Sequence, residues 1–123
     1  MDCMVSGGTG FIGRRIVARL REVGHTIGVW SRRPSPGAVI WDPLAGKPPL
    51  DSVSGADAVI HLAGEPVAQR WNDEVKRRIR DSRVVGTRHL VDAIARSPRK
   101  PRVLVSASAI GYYADRGDEV LTE

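Results

Sequence analysis

The chain has 123 residues, 41% hydrophobic and 27% charged, the balance of one globular domain or part of one. No apolar run approaches the roughly 20 residues that cross a bilayer, and no basic start precedes an apolar stretch, so neither membrane insertion nor export is expected. Lys and Arg number 19 against 14 acidic residues, a net charge of +5, yet they spread over several segments without interleaved aromatics or zinc spacing, which argues against nucleic acid as partner and against a metal site.

Residues 2 to 6 read as a first strand, which carries the single cysteine, Cys3. One cysteine forms no intrachain disulfide, reads as a small buried hydrophobe, and fits a reducing cytoplasm. Residues 11 to 23 read as a helix with Ile12, Ile16, Val17, Leu20 and Val23 at the spacing of a face lying on a sheet, ended by Gly24-His25. Thr26 to Ser31 is a second strand, so the opening segment is a β-α-β unit with parallel strands and a right-handed crossover. A proline- and glycine-rich loop leads to a short third strand, Ala38 to Trp41, ended by Asp42-Pro43. Residues 43 to 56 read as loop with about one helical turn, and Ala58 to Leu62 as a fourth strand. From Trp71 to about Arg96 the pattern is helical, with Val75, Ile79, Gly86 and Leu90 near helical spacing and Lys76, Arg77, Arg78, Arg80 and Arg83 on a solvated face. Pro98 and Pro101 stop that helix, and Val103 to Ser106 is a fifth strand. This alternation predicts an α/β fold: a Rossmann-type doubly wound parallel sheet of about five strands, order 3-2-1-4-5, with helices on both faces.

The segment Gly7-Gly8-Thr9-Gly10-Phe11-Ile12-Gly13 lies between the first strand and the first helix, where a dinucleotide pyrophosphate docks in such sheets. Gly7 suits the sharp turn, Gly10 the close approach of backbone to phosphate, and Gly13 the packing of helix on sheet. Amides of Phe11 and Ile12 would face the ligand, at the positive end of the helix dipole, while their side chains pack inward. A purely structural turn is the competing reading. Cofactor choice falls at the end of the second strand. There the chain has Ser31-Arg32-Arg33 instead of the carboxylate that binds a free ribose 2′-hydroxyl, and a hydroxyl with planar guanidinium groups suits a 2′-phosphate. That favours NADP over NAD, against the alternative of two merely solvated arginines.

Six motifs in order, Ser6-Gly-Gly-Thr-Gly-Phe-Ile-Gly13, Ser31-Arg-Arg-Pro34, His61-Leu-Ala-Gly-Glu-Pro66, Arg70-Trp71, Ser82-Arg-Val-Val-Gly-Thr87 and Val105-Ser-Ala-Ser-Ala-Ile-Gly-Tyr-Tyr113, together resemble the extended short-chain dehydrogenase/reductase superfamily. Within it the chain is most similar to the atypical NADP-binding branch of epimerase family proteins, over its whole length. The resemblance implies that Leu62, Ala63 and Gly64 line the adenine and ribose side of the cofactor, that Glu65 leads toward the centre of the site, and that Arg83 reaches the cofactor. It implies that Ser108 is the active-site serine, bonding the oxygen of an unidentified small-molecule substrate as hydride moves.

One departure stands out. The family's Tyr-x-x-x-Lys pair, in which lysine lowers the tyrosine pKa, has no counterpart: Tyr112 is followed four residues later by Arg116, and Tyr113 by Gly117. In the family the helix with that pair and the substrate lobe lie beyond the point matching Glu123. Residues 1 to 123 therefore read as an incomplete NADP-binding Rossmann domain of an oxidoreductase or epimerase. The alternative is a non-catalytic NADP-binding or redox-sensing module. With the fifth strand as an open edge, the chain is expected to be a homo-oligomer or to have reduced stability.

Overall fold

A computed structural model describes residues 1–109 and 114–122. In chain order the elements are β1 (Asp2–Ser6), α1 (Phe11–Glu22), β2 (Thr26–Ser31), β3 (Ala38–Ile40), α2 (Leu50–Ser54), β4 (Ala58–His61), α3 (Asp73–Arg96) and β5 (Val103–Ser106). All neighbouring strands pair in parallel, in the order β3-β2-β1-β4-β5. This is the doubly wound Rossmann-type sheet expected from the alternation of strands and helices.

Strand periodicity of two splits the core into two layers. Met4 and Val59 are register partners and point to one side, where they join Trp30, Trp41, Val53 and Ala56 beneath Leu90 and Ala93 of α3. Cys3, Val5 and Ala58 point to the other, with Ile27 and with Val17 of α1. The near-continuous apolar run of each central strand thus reflects burial on both faces. β5 carries the same apolar signature, but Val103, Leu104 and Val105 are exposed.

Helix ends follow from local chemistry. Asn72 caps α3, its side-chain oxygen accepting the Val75 amide at 2.8 Å, with Asp73 and Glu74 in the favourable first turn. α1 closes through Gly24 in the left-handed region, with the Gly24 and His25 amides donating to the carbonyls of Arg21 and Leu20.

The buried face of α1 differs from expectation. Phe11 and Ile12 are 67% and 63% exposed, and Val23 is exposed beyond the last helical residue. At 100° per residue, Gly13, Val17 and Leu20 fall within about 60° of one another, whereas Ile12 lies about 100° from Gly13 and Phe11 about 160°. Gly13 seats the helix on the sheet, and that rotation turns Phe11 and Ile12 outward. The Arg15 guanidinium then lies 4.7 Å over the Phe11 ring.

Candidate functional site: a cleft at the carboxyl edge of the sheet

Parallel strands bring the carboxyl ends of β1, β2, β3 and β4 to one edge, and a cleft of about 250 Å³ opens there. Its floor is the glycine turn after β1. Gly7 has φ +71°, the left-handed region a side chain disfavours, and a Cβ there would lie 2.8 Å from the Leu62 carbonyl carbon. A Cβ on Gly13 would lie 2.1 Å from the Gly7 oxygen, so α1 starts directly against the turn only because residue 13 has no side chain. The Gly10 amide donates to the Gly7 carbonyl at 3.0 Å and closes the bend. No side chain caps α1 and its first turn holds no acidic residue. The first-turn amides are left for an external acceptor, at the positive end of the helix dipole. A backbone cradle that a Cβ would fill and an uncapped, acid-free helix start fit a diphosphate.

Ser31 and Arg32 form the wall beyond β2. The Ser31 hydroxyl accepts the Arg33 amide at 3.2 Å, which sets the direction of the Arg32-Arg33 turn. β2 itself ends at Ser31, followed by Arg32-Arg33, without a carboxylate; the carboxylates of the lining belong to Asp42, at the adjoining end of β3, and to Glu65. Beyond β3 the wall is Trp41, Asp42, Pro43 and Leu44. Trp41 is tied by its indole N–H to the Gly46 carbonyl at 2.8 Å, and the carboxylate of the exposed Asp42 accepts the Leu44 amide at 3.0 Å. His89 of α3 donates from Nδ1 to the Pro43 carbonyl at 2.7 Å.

The fourth wall, Leu62 to Pro66, is strapped to α3. The Glu65 amide donates to Ser82 Oγ at 2.9 Å, while Arg83 Nη1 donates to the carbonyls of Glu65 at 3.0 Å and Ile79 at 3.2 Å. Arg78 approaches the Glu65 carboxylate at 3.7 Å and pairs with Glu74 at 2.9 Å. Beneath this wall His61 is buried, and burial pushes its imidazole pKa below the ordinary 6.5, holding it neutral.

Of the residues singled out from sequence, Gly7, Thr9, Gly10, Ser31, Arg32, Leu62, Ala63, Gly64 and Glu65 converge on the cleft. Phe11, Ile12 and Gly13 form the first turn of α1, directly after Gly10, and are not among the residues that line the cleft. Arg33 is exposed beside it, and Arg83 stands behind the Gly64-Glu65 wall. Ser108 follows β5 and is exposed, outside the cleft lining; Ile110, Gly111, Tyr112 and Tyr113 lie outside the described residues. Ser6, Trp30, the Trp41 to Leu44 wall, Pro66 and Ser82 also line the cleft, and the sequence reading gave none of them a site role. The Asp42-Pro43 dipeptide marks a strand end on the ligand edge, and that position was the available signal.

The model of the NAD dependent epimerase/dehydratase family matches residues 3–123. The chloroplastic SDR39U1 homolog of Arabidopsis thaliana, an epimerase family protein, is 42% identical over an alignment of 136 positions that takes in 100% of this chain and 38% of the relative. Among solved structures, human epimerase family protein SDR39U1 with NADPH superposes with a TM-score of 0.78 at 36% identity, covering 92% of this chain and 38% of that one. A short-chain dehydrogenase/reductase superfamily protein from Agrobacterium tumefaciens with bound NAD gives 0.74 at 31% identity, covering 93% and 34%. The chain thus spans 38% of the length of the first curated relatives it matches. Among the described residues, no helix is long and apolar enough to cross a membrane.

Proposed function

The chain belongs to the NAD dependent epimerase/dehydratase family, and we propose that it is the NADP(H)-binding portion of an extended short-chain dehydrogenase/reductase-like oxidoreductase or epimerase acting on a small molecule. The observation that carries this reading is the meeting of the glycine turn with Ser31 and Arg32 in one cleft, with no acidic side chain at the end of β2. A carboxylate there would repel a 2′-phosphate, whereas a guanidinium and a hydroxyl hold it through charge-assisted hydrogen bonds. The related human structure, described with NADPH, is consistent with that choice.

The residues divide the work by position. Gly7, Thr9 and Gly10 bring backbone close to the diphosphate, and the amides of Phe11, Ile12 and Gly13 receive its charge. Ser31, Arg32 and Arg33 take the 2′-phosphate. Leu62, Ala63 and Gly64 form the adenine and ribose wall, and Glu65 carries that wall toward the centre of the site. Arg83 has Nη1 engaged by carbonyls and, among the described residues, no hydrogen bond at Nη2 or Nε, the donors assigned here to the cofactor. NADP supplies the hydride donor or acceptor, and Ser108 is the hydroxyl that bonds the substrate oxygen. The lone buried Cys3 suits a reducing compartment, and we assign the cytoplasm on that ground; the plant relative is described as chloroplastic.

Calorimetric titration with NADP and NAD in parallel tests the reading. NADP is expected to bind more tightly, and Arg32→Ala to weaken it on the order of tenfold to a hundredfold, about 1.5 to 3 kcal/mol, with NAD unaffected. Equal NADP affinity in the variant would remove the assignment of Arg32.

A further inference from the structure

A relay of three side chains, the buried Ser6 and His61 and the half-buried Thr87, runs beneath the cleft and joins β1, β4 and α3. Ser6 Oγ lies 2.6 Å from His61 Nδ1, and His61 Nε2 lies 3.0 Å from Thr87 Oγ1. Ser6 Oγ also accepts the Ala63 amide at 3.3 Å and shares the Leu62 amide, at 3.2 Å, with the Ser6 carbonyl at 3.1 Å. The Trp41 ring covers the imidazole, with centroids 6.2 Å apart.

Hydrogen-bond inventory fixes where the protons are. A serine hydroxyl has one proton and two acceptor sites. Two amides occupy the acceptor sites of Ser6, so its proton points to His61 Nδ1, which must be unprotonated. The ring's single proton is then on Nε2 and is donated to Thr87. The opposite tautomer would present three donors to one hydroxyl oxygen and leave the Ser6 proton without a partner.

The Leu62-Ala63 peptide held this way is the one Gly7 touches: a Cβ at residue 7 would meet Leu62 C at 2.8 Å and Ala63 N at 2.9 Å. One hydroxyl therefore sets the spacing between the glycine turn and the β4 wall, the two sides of the cleft. We propose that His61 is a positioning residue for the cofactor, acting as the Nε2–H tautomer between Ser6 and Thr87 to lock the Leu62-Ala63 peptide against the glycine turn. The proposal rests on the cofactor reading given above. The role needs no contact between His61 and the ligand, since Ser6 and the two amides transmit it.

The test combines a signature that needs no cofactor with a substitution pair that separates hydrogen bonding from packing. Imidazole ¹⁵N spectra of the intact chain are expected to show His61 with an acceptor-type Nδ1 and a protonated Nε2. His89, which donates from Nδ1 to the Pro43 carbonyl, is expected as the opposite form and serves as the internal contrast. Thr87→Val keeps the shape and removes the acceptor; Thr87→Ser keeps the hydroxyl and removes a methyl. The valine variant is expected to bind NADP on the order of tenfold more weakly and to exchange the Leu62 and Ala63 amides faster, with the serine variant close to wild type on both. A packing role predicts the reverse order, and that result, or an Nδ1–H form of His61, overturns the proposal. If wild type takes up no NADP, the cofactor reading falls instead, and the relay is judged on the tautomer and amide exchange alone.

Discussion

Gly13→Ala separates a glycine required by contact from one that is merely present. The added methyl would lie 2.1 Å from the Gly7 oxygen, 2.8 Å from Gly8 Cα and 2.9 Å from the Gly7 carbonyl carbon, all backbone atoms that no rotamer change can move. Ordinary contact needs about 3.5 Å, so the start of α1 must retreat by more than about 1 Å from the turn. Overpacking of this kind costs about 3 kcal/mol at the upper end of its usual range, while alanine for glycine inside a helix returns about 1 kcal/mol. The net loss of about 2 kcal/mol corresponds to a melting temperature lower by about 6 to 10 °C for a chain of this size. The displaced amides should also lose NADP affinity on the order of a hundredfold. Thermal denaturation and calorimetry of Gly13→Ala are compared with Gly46→Ala, where the methyl meets open space and little change is expected. Helix propensity alone predicts a rise in melting temperature for Gly13→Ala, so a stabilised variant with unchanged affinity would refute the contact argument.

Three further outcomes follow from the same geometry. Burial depresses the His61 pKa, so the native state binds fewer protons than the unfolded chain near pH 6. Its contribution to stability is complete above about pH 6.5 and is lost as pH falls toward the lowered native value. Denaturation midpoints should drop from pH 7.5 to 5.5, less so in His61→Gln, and an equal drop in both proteins would contradict this. Asn72→Ala removes the acceptor of the Val75 amide and should cost about 1 kcal/mol, read from the same denaturation curves, with no change expected in the NADP to NAD preference. Exposed Val103, Leu104 and Val105 on β5 should drive self-association of the 123-residue chain. Sedimentation should show oligomers that Val105→Lys reduces, and a monomeric wild type with a high melting temperature would count against it.

Fold and strand order were legible because the strands are short apolar runs separated by punctuation that leaves little choice: Gly24-His25, Asp42-Pro43, Pro98 and Pro101. The cleft lining was legible where a motif sits at a strand end, as with Gly7, Thr9 and Gly10, Ser31-Arg32 and Leu62 to Glu65. Misplacement came where counting apolar residues substituted for their rotation about the helix axis. Ile12 and Val23 have helical spacing, yet Gly13 sets the angle of α1 and leaves both outside. Two parts of the site depend on contacts remote in sequence. The Trp41 to Leu44 wall becomes a wall only when α3 reaches Pro43 through His89, and the Ser6-His61-Thr87 relay joins positions 55 and 26 residues apart. No periodicity reports such pairings. Tyr112 and Tyr113, where the sequence departs from the family's pair, lie outside the described residues.

Crystals of the chain grown with NADPH test the central claim most directly. Density is expected with the diphosphate against the amides of Phe11, Ile12 and Gly13 and the 2′-phosphate between Ser31 and Arg32. A cleft that stays empty at millimolar NADPH, or a nucleotide bound away from the glycine turn, would contradict the account.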